Sequence, residues 1–196
     1  FRLLLNPDDN EAFLRIINFP TRGLGATTIG ALIALADKQG LSLFRTLKIA
    51  LAEKNPKISS AARGKFSQFV ELIEELQSDA EQAQQLLSGS EADGSTVSKL
   101  NALPHLLKLI AEKTDYLGRL KAEDTSEAES RIENIYELFS VALEFSKRAI
   151  EENRSLLLRE FLDRASLSSD LDTENTRTNE EQEARGCVSL MTLHLC

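Results

Sequence analysis

Apolar residues recur at helical spacing along most of the chain, and short segments of loop composition separate the apolar stretches. Asp8 and Asp9 precede Ala12, Phe13, Ile16 and Ile17. Acidic residues in a first turn suit the positive end of a helix dipole, so a helix is expected here. Pro20 restricts Phe19 to extended conformations, which ends that helix near Asn18. Thr21-Arg22-Gly23-Leu24-Gly25 then reads as a loop. From Ala26 to about Lys38 the positions Ile29, Leu32, Ile33, Leu35 and Ala36 form one helical face. Gly40 breaks it, and Ser42 can cap a further helix through about Glu53. Asn55-Pro56 is the next break. A long helix is predicted from about Ser59 to Leu87, with Phe66, Phe69, Val70, Ile73 and Leu76 on one side.

Residues 88–95 have the composition of a flexible connector. Helices are predicted at about 103–118, 127–152 and 155–167. Residues 168–185 are polar, acidic and poor in core-forming side chains, the composition of a disordered or mobile segment. From Cys187 to Leu193 the β-branched content and the short apolar run predict a strand. One strand makes no sheet, so its partners are expected outside this chain. No motif recurs at a fixed period. The fold class that follows is mainly α, an irregular multi-helix domain with one terminal β-strand. Phe1-Arg2-Leu3-Leu4-Leu5 at the start and Leu193-His194-Leu195-Cys196 at the finish both read as cuts through apolar segments. The chain is therefore expected to be an internal piece of a longer protein.

Composition narrows the class. The 196 residues are 42% hydrophobic and 28% charged, with 9 Gly, 4 Pro, 2 Cys and no Trp. That balance is ordinary for a globular chain and excludes collagen-like and disulfide-scaffold classes. No apolar run approaches the roughly 20 residues of a membrane helix, and no secretory leader is visible. Cys187 and Cys196 are too few for a zinc site or a bridge framework, so a reducing cytoplasm is the expected compartment. The net charge of −8 is uneven: residues 1–64 carry +4 and residues 65–196 carry −12. Overall acidity argues against nonspecific nucleic-acid binding, yet leaves room for a small basic footprint in the first third. Solvated helix faces account for the same asymmetry.

The usual catalytic constellations are absent from the sequence. There is no GxxxxGK[ST] phosphate loop, and His105 and His194 lie far apart, outside any metal-binding spacing. His105, after Pro104, reads as a surface or capping residue at a helix start. No catalytic residue and no metal ligand is assigned. The informative segment is 20–30. Gly23 and Gly25 flank an apolar residue just before a helix, and the lack of side chains lets the backbone approach a phosphate and adopt positive φ. The helix that follows offers free N–H groups and a positive dipole end. Arg22 adds charge, Thr27 and Thr28 add hydroxyls, and Leu24 is an apolar peg into the helices. This is the chemistry of a clamp on the DNA backbone; a plain turn between helices fits the same residues.

Val188-Ser189-Leu190-Met191-Thr192-Leu193-His194 resembles the start of helicase motif V in the UvrD/PcrA/Rep family of superfamily 1 DNA helicases. Further resemblances fall in order. Leu3-Leu4-Leu5-Asn6-Pro7-Asp8-Asp9 is similar to the lead into the family's 2B subdomain. Phe13-Leu14-Arg15-Ile16-Ile17-Asn18 followed by Pro20-Thr21-Arg22-Gly23-Leu24-Gly25 resembles its P-x-R-G-I-G segment. Arg131-Ile132-Glu133-Asn134-Ile135 resembles its R-x-E-N helix start. Phe161 to Leu167, with Asp170-Leu171-Asp172, resembles the helix and acidic linker before motif V. Cys196 departs from the pattern, standing where a small Ala is common. The resemblance spans nearly the whole chain.

It implies an ATP-driven 3′-to-5′ DNA helicase of four subdomains, this chain being 2B with a sliver of the RecA-like 2A domain at each end. The implied division is 1–10 as the end of 2A, 11–167 as the 2B-like helical part, 168–186 as an acidic linker and 187–196 as the 2A strand. Thr21, Arg22, Gly23, Leu24, Gly25 and Thr27 would touch duplex DNA ahead of the fork. Thr192 and His194 would sit near the single-strand track and its coupling to ATP; Thr192 also reads as an ordinary strand residue. Arg131, Glu133 and Asn134 read as structural, and the apolar stripes at 66–76 and 135–145 as core. ATP and Mg2+ belong to the parent protein, and the fragment alone is expected to bind neither. Duplex DNA and the single-strand junction are the implied partners, with accessory repair or replication proteins beside them and no membrane. Residues 1–5 and 187–196 are expected to lie together outside the helical core. The competing reading is a non-enzymatic helical adaptor whose acidic face binds a protein.

Overall fold

Local capping chemistry sets several of the helix starts. The computed structural model describes residues 1–88, 96–152 and 158–164. α1 is Arg2–Leu5 and α2 is Asn10–Ile16, the latter opened by Asp9, whose carboxylate accepts from the Ala12 N–H at 2.9 Å. α3 spans Ala26–Gln39 and ends at Gly40, which takes the left-handed φ of 62° that closes a helix. α4, Leu43–Ala52, is capped by Ser42 as the sequence predicts. α5, Ser60–Ser88, carries a buried stripe through Phe66, Phe69, Ile73, Leu76, Ala80, Ala83 and Leu87. α6 is Thr96–Lys113, α7 is Tyr116–Glu123, and α8 is Ser126–Glu151 with Thr125 as its cap. Residues 158–164 are again helical.

The domain is mainly α, built around α5. α1, α4 and α6 pack on α5, α2 and α3 pack on α4, and α7 and α8 close over α6. Lys113 at the end of α6 bridges to Glu75 at 3.2 Å and Asp79 at 2.7 Å, which fixes α5 and α6 as an antiparallel pair. Phe13 of α2 is fully buried, edge-on to Phe44 of α4 and Phe69 of α5. The chain divides into two units, Phe1–Arg159 and Glu160–Cys196. Of the second, the described residues 160–164 are helical.

Several expectations change. Residues 1–5 are not outside the core: Leu3 is 1% exposed and Leu4 is buried, because consecutive leucines gain more from docking on α5 than from solvent. α6 begins at Thr96, not near 103, and runs through Pro104. The helix tolerates the lost N–H bond because Ala102, Leu103, Leu106 and Leu107 are buried on both sides of the proline. His105 is accordingly a mid-helix, exposed residue and not a helix-start cap. The predicted helix 103–118 is split at Asp115, whose φ of 52° turns the chain between α6 and α7. α8 starts at Ser126, so Arg131, Glu133 and Asn134 lie inside it on its exposed side. The 66–76 stripe is core, whereas within 135–145 Tyr136 and Val141 are about half exposed. The connector residues 89–95, the acidic segment 168–186 and the strand 187–193 lie outside the described residues.

Candidate nucleic-acid interface

The glycine loop is built by its neighbours. α2 ends at Ile16, and the Phe19–Pro20 peptide that follows is cis. Asn18 then turns its side chain into the loop: its Oδ1 accepts from the Arg22 N–H at 3.0 Å and the Leu24 N–H at 3.2 Å. An Asn carbonyl doing the work of a backbone acceptor is a common way to shape a tight turn. Leu24 is 3% exposed, so the predicted peg is seated in the core. Thr21, Gly23, Gly25 and Thr27 around it are exposed. Burying one apolar residue in a polar loop fixes the loop's position and leaves its rim in solvent.

Arg22 behaves differently from the sequence expectation of a free phosphate-contacting charge. Its Nη1 donates to the carbonyls of Ile16 at 2.7 Å, Phe19 at 3.0 Å, Ile17 at 3.2 Å and Pro20 at 3.4 Å. The guanidinium carbon also lies 5.1 Å from the centre of the Phe69 ring. Burial, and secondarily the like charge of Arg119, lower the Arg22 pKa from its ordinary value. These carbonyls follow the C-terminal, negative end of α2, where a helix leaves acceptors unsatisfied. Arg22 therefore closes α2 and holds the loop's first limb.

The two glycines have separate roles. Gly23 has φ +65°, a conformation that costs an L-residue about 1–2 kcal/mol. A Cβ on it would also stand 2.8 Å from the Lys65 Nζ, which donates to the Gly23 carbonyl at 2.8 Å. Gly25 has φ −71° and ψ 160°, so the positive φ considered for it belongs to Gly23 instead. Gly25 is the N-cap of α3, with no side chain to cap it, and a Cβ there would meet nothing within 4 Å. Thr28 N and Ile29 N bond back to the Gly25 carbonyl at 3.0 and 3.1 Å, while helix geometry leaves the first N–H groups of α3 without an intrahelical acceptor. Gly23→Ala is expected to lower stability by about 1–2 kcal/mol, and Gly25→Ser, which keeps a good N-cap, to change it by less than about 0.5 kcal/mol. Thermal melts followed by circular dichroism check both, and equal melting of the two variants would contradict the assignment.

Behind the loop lies an apolar cavity of about 270 Å³ whose walls include Phe19, Pro20, Arg22, Phe69, Leu72 and Tyr116. Phe19 stacks edge-on against Tyr116 at 5.8 Å, which carries the loop's far side onto α7. Asn18, Lys65 and Phe69 all shape the site, and none was assigned to it from sequence. Asn18 carries a weak local signal, an Asn preceding a proline turn. Lys65 and Phe69 carry none, since their contacts cross 42 and 47 positions of the chain. Thr192 and His194 lie outside the described residues. Among the described residues no group of His, Cys, Asp and Glu could hold a metal ion.

Residues 1–196 match the family described as UvrD-like helicase C-terminal domain. The chain is 34% identical over 193 residues to the ATP-dependent DNA helicase PcrA of Bacillus subtilis, covering 98% of this chain and 23% of that protein. It is 32% identical over 194 residues to the ATP-dependent DNA helicase PcrA of Leuconostoc citreum, with 98% and 22% covered. The ATP-dependent DNA helicase UvrD1 of Mycobacterium tuberculosis is 29% identical over 205 residues, again with 98% of this chain and 23% of the relative. The chain thus spans less than a quarter of the length of these relatives.

Proposed function

This chain belongs to the UvrD-like helicase C-terminal domain family, and from that premise we propose that it is the duplex-contacting part of an ATP-dependent 3′-to-5′ DNA helicase, regulating unwinding ahead of the fork. One observation carries the reading: the uncapped N-terminus of α3 sits on an exposed glycine rim anchored by a buried Leu24. Backbone N–H groups and a positive dipole end suit phosphate oxygens and carry no base preference. Thr21 and Thr27 add hydroxyl donors at the same rim, Gly23 and Gly25 let the strand approach, and Arg22 holds the loop in shape. Thr192 and His194 are proposed for the single-strand track.

ATP and Mg2+ are assigned to the whole helicase. No residue of this chain is assigned to them: the sequence has no GxxxxGK[ST] loop, and among the described residues no group of His, Cys, Asp and Glu could hold a metal ion. Duplex DNA with its single-strand junction is the proposed partner, beside accessory repair or replication proteins, in a DNA-containing cytosol. No helix among the described residues is long and apolar enough to cross a membrane.

Gly25→Asp tests the loop. Aspartate is a better N-cap than glycine by a few tenths of a kcal/mol, so the fold is kept or slightly stabilised. Its carboxylate would take up the free N–H groups and repel a phosphate. Affinity for a duplex with a single-strand tail is expected to fall at least about tenfold, which is about 1.4 kcal/mol. A folded variant that binds as tightly as the parent would remove the loop from the interface and favour the adaptor reading.

A further inference from the structure

Lys65 of α5 reaches the glycine loop from another part of the chain. We infer that Lys65 of α5, and not Arg22, is the side chain that meets the DNA phosphate at this loop, an inference that rests on the duplex-contacting reading above. Arg22 is turned inward: its Nη1 is shared among four carbonyls and its guanidinium carbon lies over the Phe69 ring, 5.1 Å from the centre. Two other cations of the first third are likewise occupied, Arg45 by Asp8 and Arg63 by the carbonyls of Lys54, Asn55 and Ile58. Lys65 makes no ion pair among the described residues. It is half-buried, and its Nζ lies 2.8 Å from the Gly23 carbonyl, two residues before the free end of α3.

An ammonium has three donors. One is used on Gly23, which holds the head group at the rim by a bond spanning 42 positions of the chain. The other two remain for an oxygen acceptor arriving from solvent. A phosphate seated on the α3 N–H groups would meet this charge beside it. The same geometry gives the glycine at position 23 a second purpose, since a side chain there would stand where the ammonium sits.

The test uses the full 196-residue chain and a labelled duplex with a single-strand tail, titrated at several salt concentrations between 50 and 200 mM. A lost phosphate contact lowers the slope of log affinity against log salt by about one unit. Lys65→Gln keeps a donor for Gly23 and removes the charge, so its slope is expected to be about one lower than the parent's. The parent's advantage over it then shrinks about 3.5-fold across that salt range. Lys65→Arg is expected to keep the parental slope. Should Lys65→Gln fail to fold, Lys65→Met is the second uncharged variant and is judged by the same slope. A parental slope in the uncharged variant, whether or not affinity falls, overturns the inference and leaves Lys65 as a tie to the loop. Gly25→Asp separates the two readings. If it loses binding while Lys65→Gln keeps the parental slope, the Lys65 assignment alone fails; if it binds as the parent does, the duplex-contacting loop itself fails.

Discussion

Phe69→Ala is expected to lower the stability of the chain by about 3–5 kcal/mol, the usual cost of truncating a buried phenylalanine. The ring is 1% exposed and meets Phe13 edge-on, with centroids 5.5 Å apart and planes at 89°. Such edge contacts add about 0.5–1.5 kcal/mol beyond the area they bury. The ring also supports the Arg22 guanidinium, whose carbon lies 5.1 Å from its centre. Removing it therefore enlarges the cavity behind the loop and loosens the loop's own anchor. Against a total stability of about 5–15 kcal/mol, that is a large fraction. Phe69→Leu keeps most of the volume and loses only the flat face, so a cost below about 1.5 kcal/mol is expected. Urea unfolding followed by circular dichroism reads both. A loss under 1 kcal/mol for the alanine variant would show that the ring is not a core element.

Arg22→Ala is expected to cost about 2–4 kcal/mol of stability, in contrast to a surface arginine, whose loss costs little. Hydrogen bonds from a charged donor are worth about 1.5–3 kcal/mol each, and carbonyls left without a donor add a penalty where they are buried. Nη1 carries two hydrogens, so its four carbonyl contacts are shared; Ile16 at 2.7 Å and Phe19 at 3.0 Å take the largest part. For a chain of this size the loss corresponds to a melting temperature lower by roughly 5–15 °C. Arg22→Lys decides between staple and phosphate contact. A lysine keeps the charge but not the planar fork that lies on Phe69 while reaching several carbonyls. As a staple, Arg22→Lys loses most of the stability that alanine loses. A lysine variant that melts like the parent would make Arg22 a charge and not a staple.

The helix boundaries that the sequence determined by itself are those written in a few adjacent residues. Ser42 before an apolar run, Gly40 after one and the stripe from Phe66 to Leu76 each state their element locally, because caps and periodicity act within a turn or two. The peg role of Leu24 was legible for the same reason: an isolated apolar residue between glycines has nowhere favourable to go but inward. Pro104 misled because a proline locally favours the first turn of a helix, while the buried residues on both sides carry α6 through it. The split at Asp115 carries only a weak local signal, an aspartate, one of the few residue types that tolerate the left-handed region.

The glycine loop divides along the same line. Its residues, and the free helix end behind them, were determined by the sequence. The direction each charge takes was decided only by tertiary structure. Arg22 turns inward because folding sets the Phe69 ring, 47 positions away, beside the four carbonyls that its own segment offers. Lys65 reaches the rim because α5 passes beside the loop 42 positions later. Local acceptors were within reach of Arg22 in the sequence, but the Phe69 ring that holds it inward and the Gly23 carbonyl that holds Lys65 at the rim are brought there only by the packed chain.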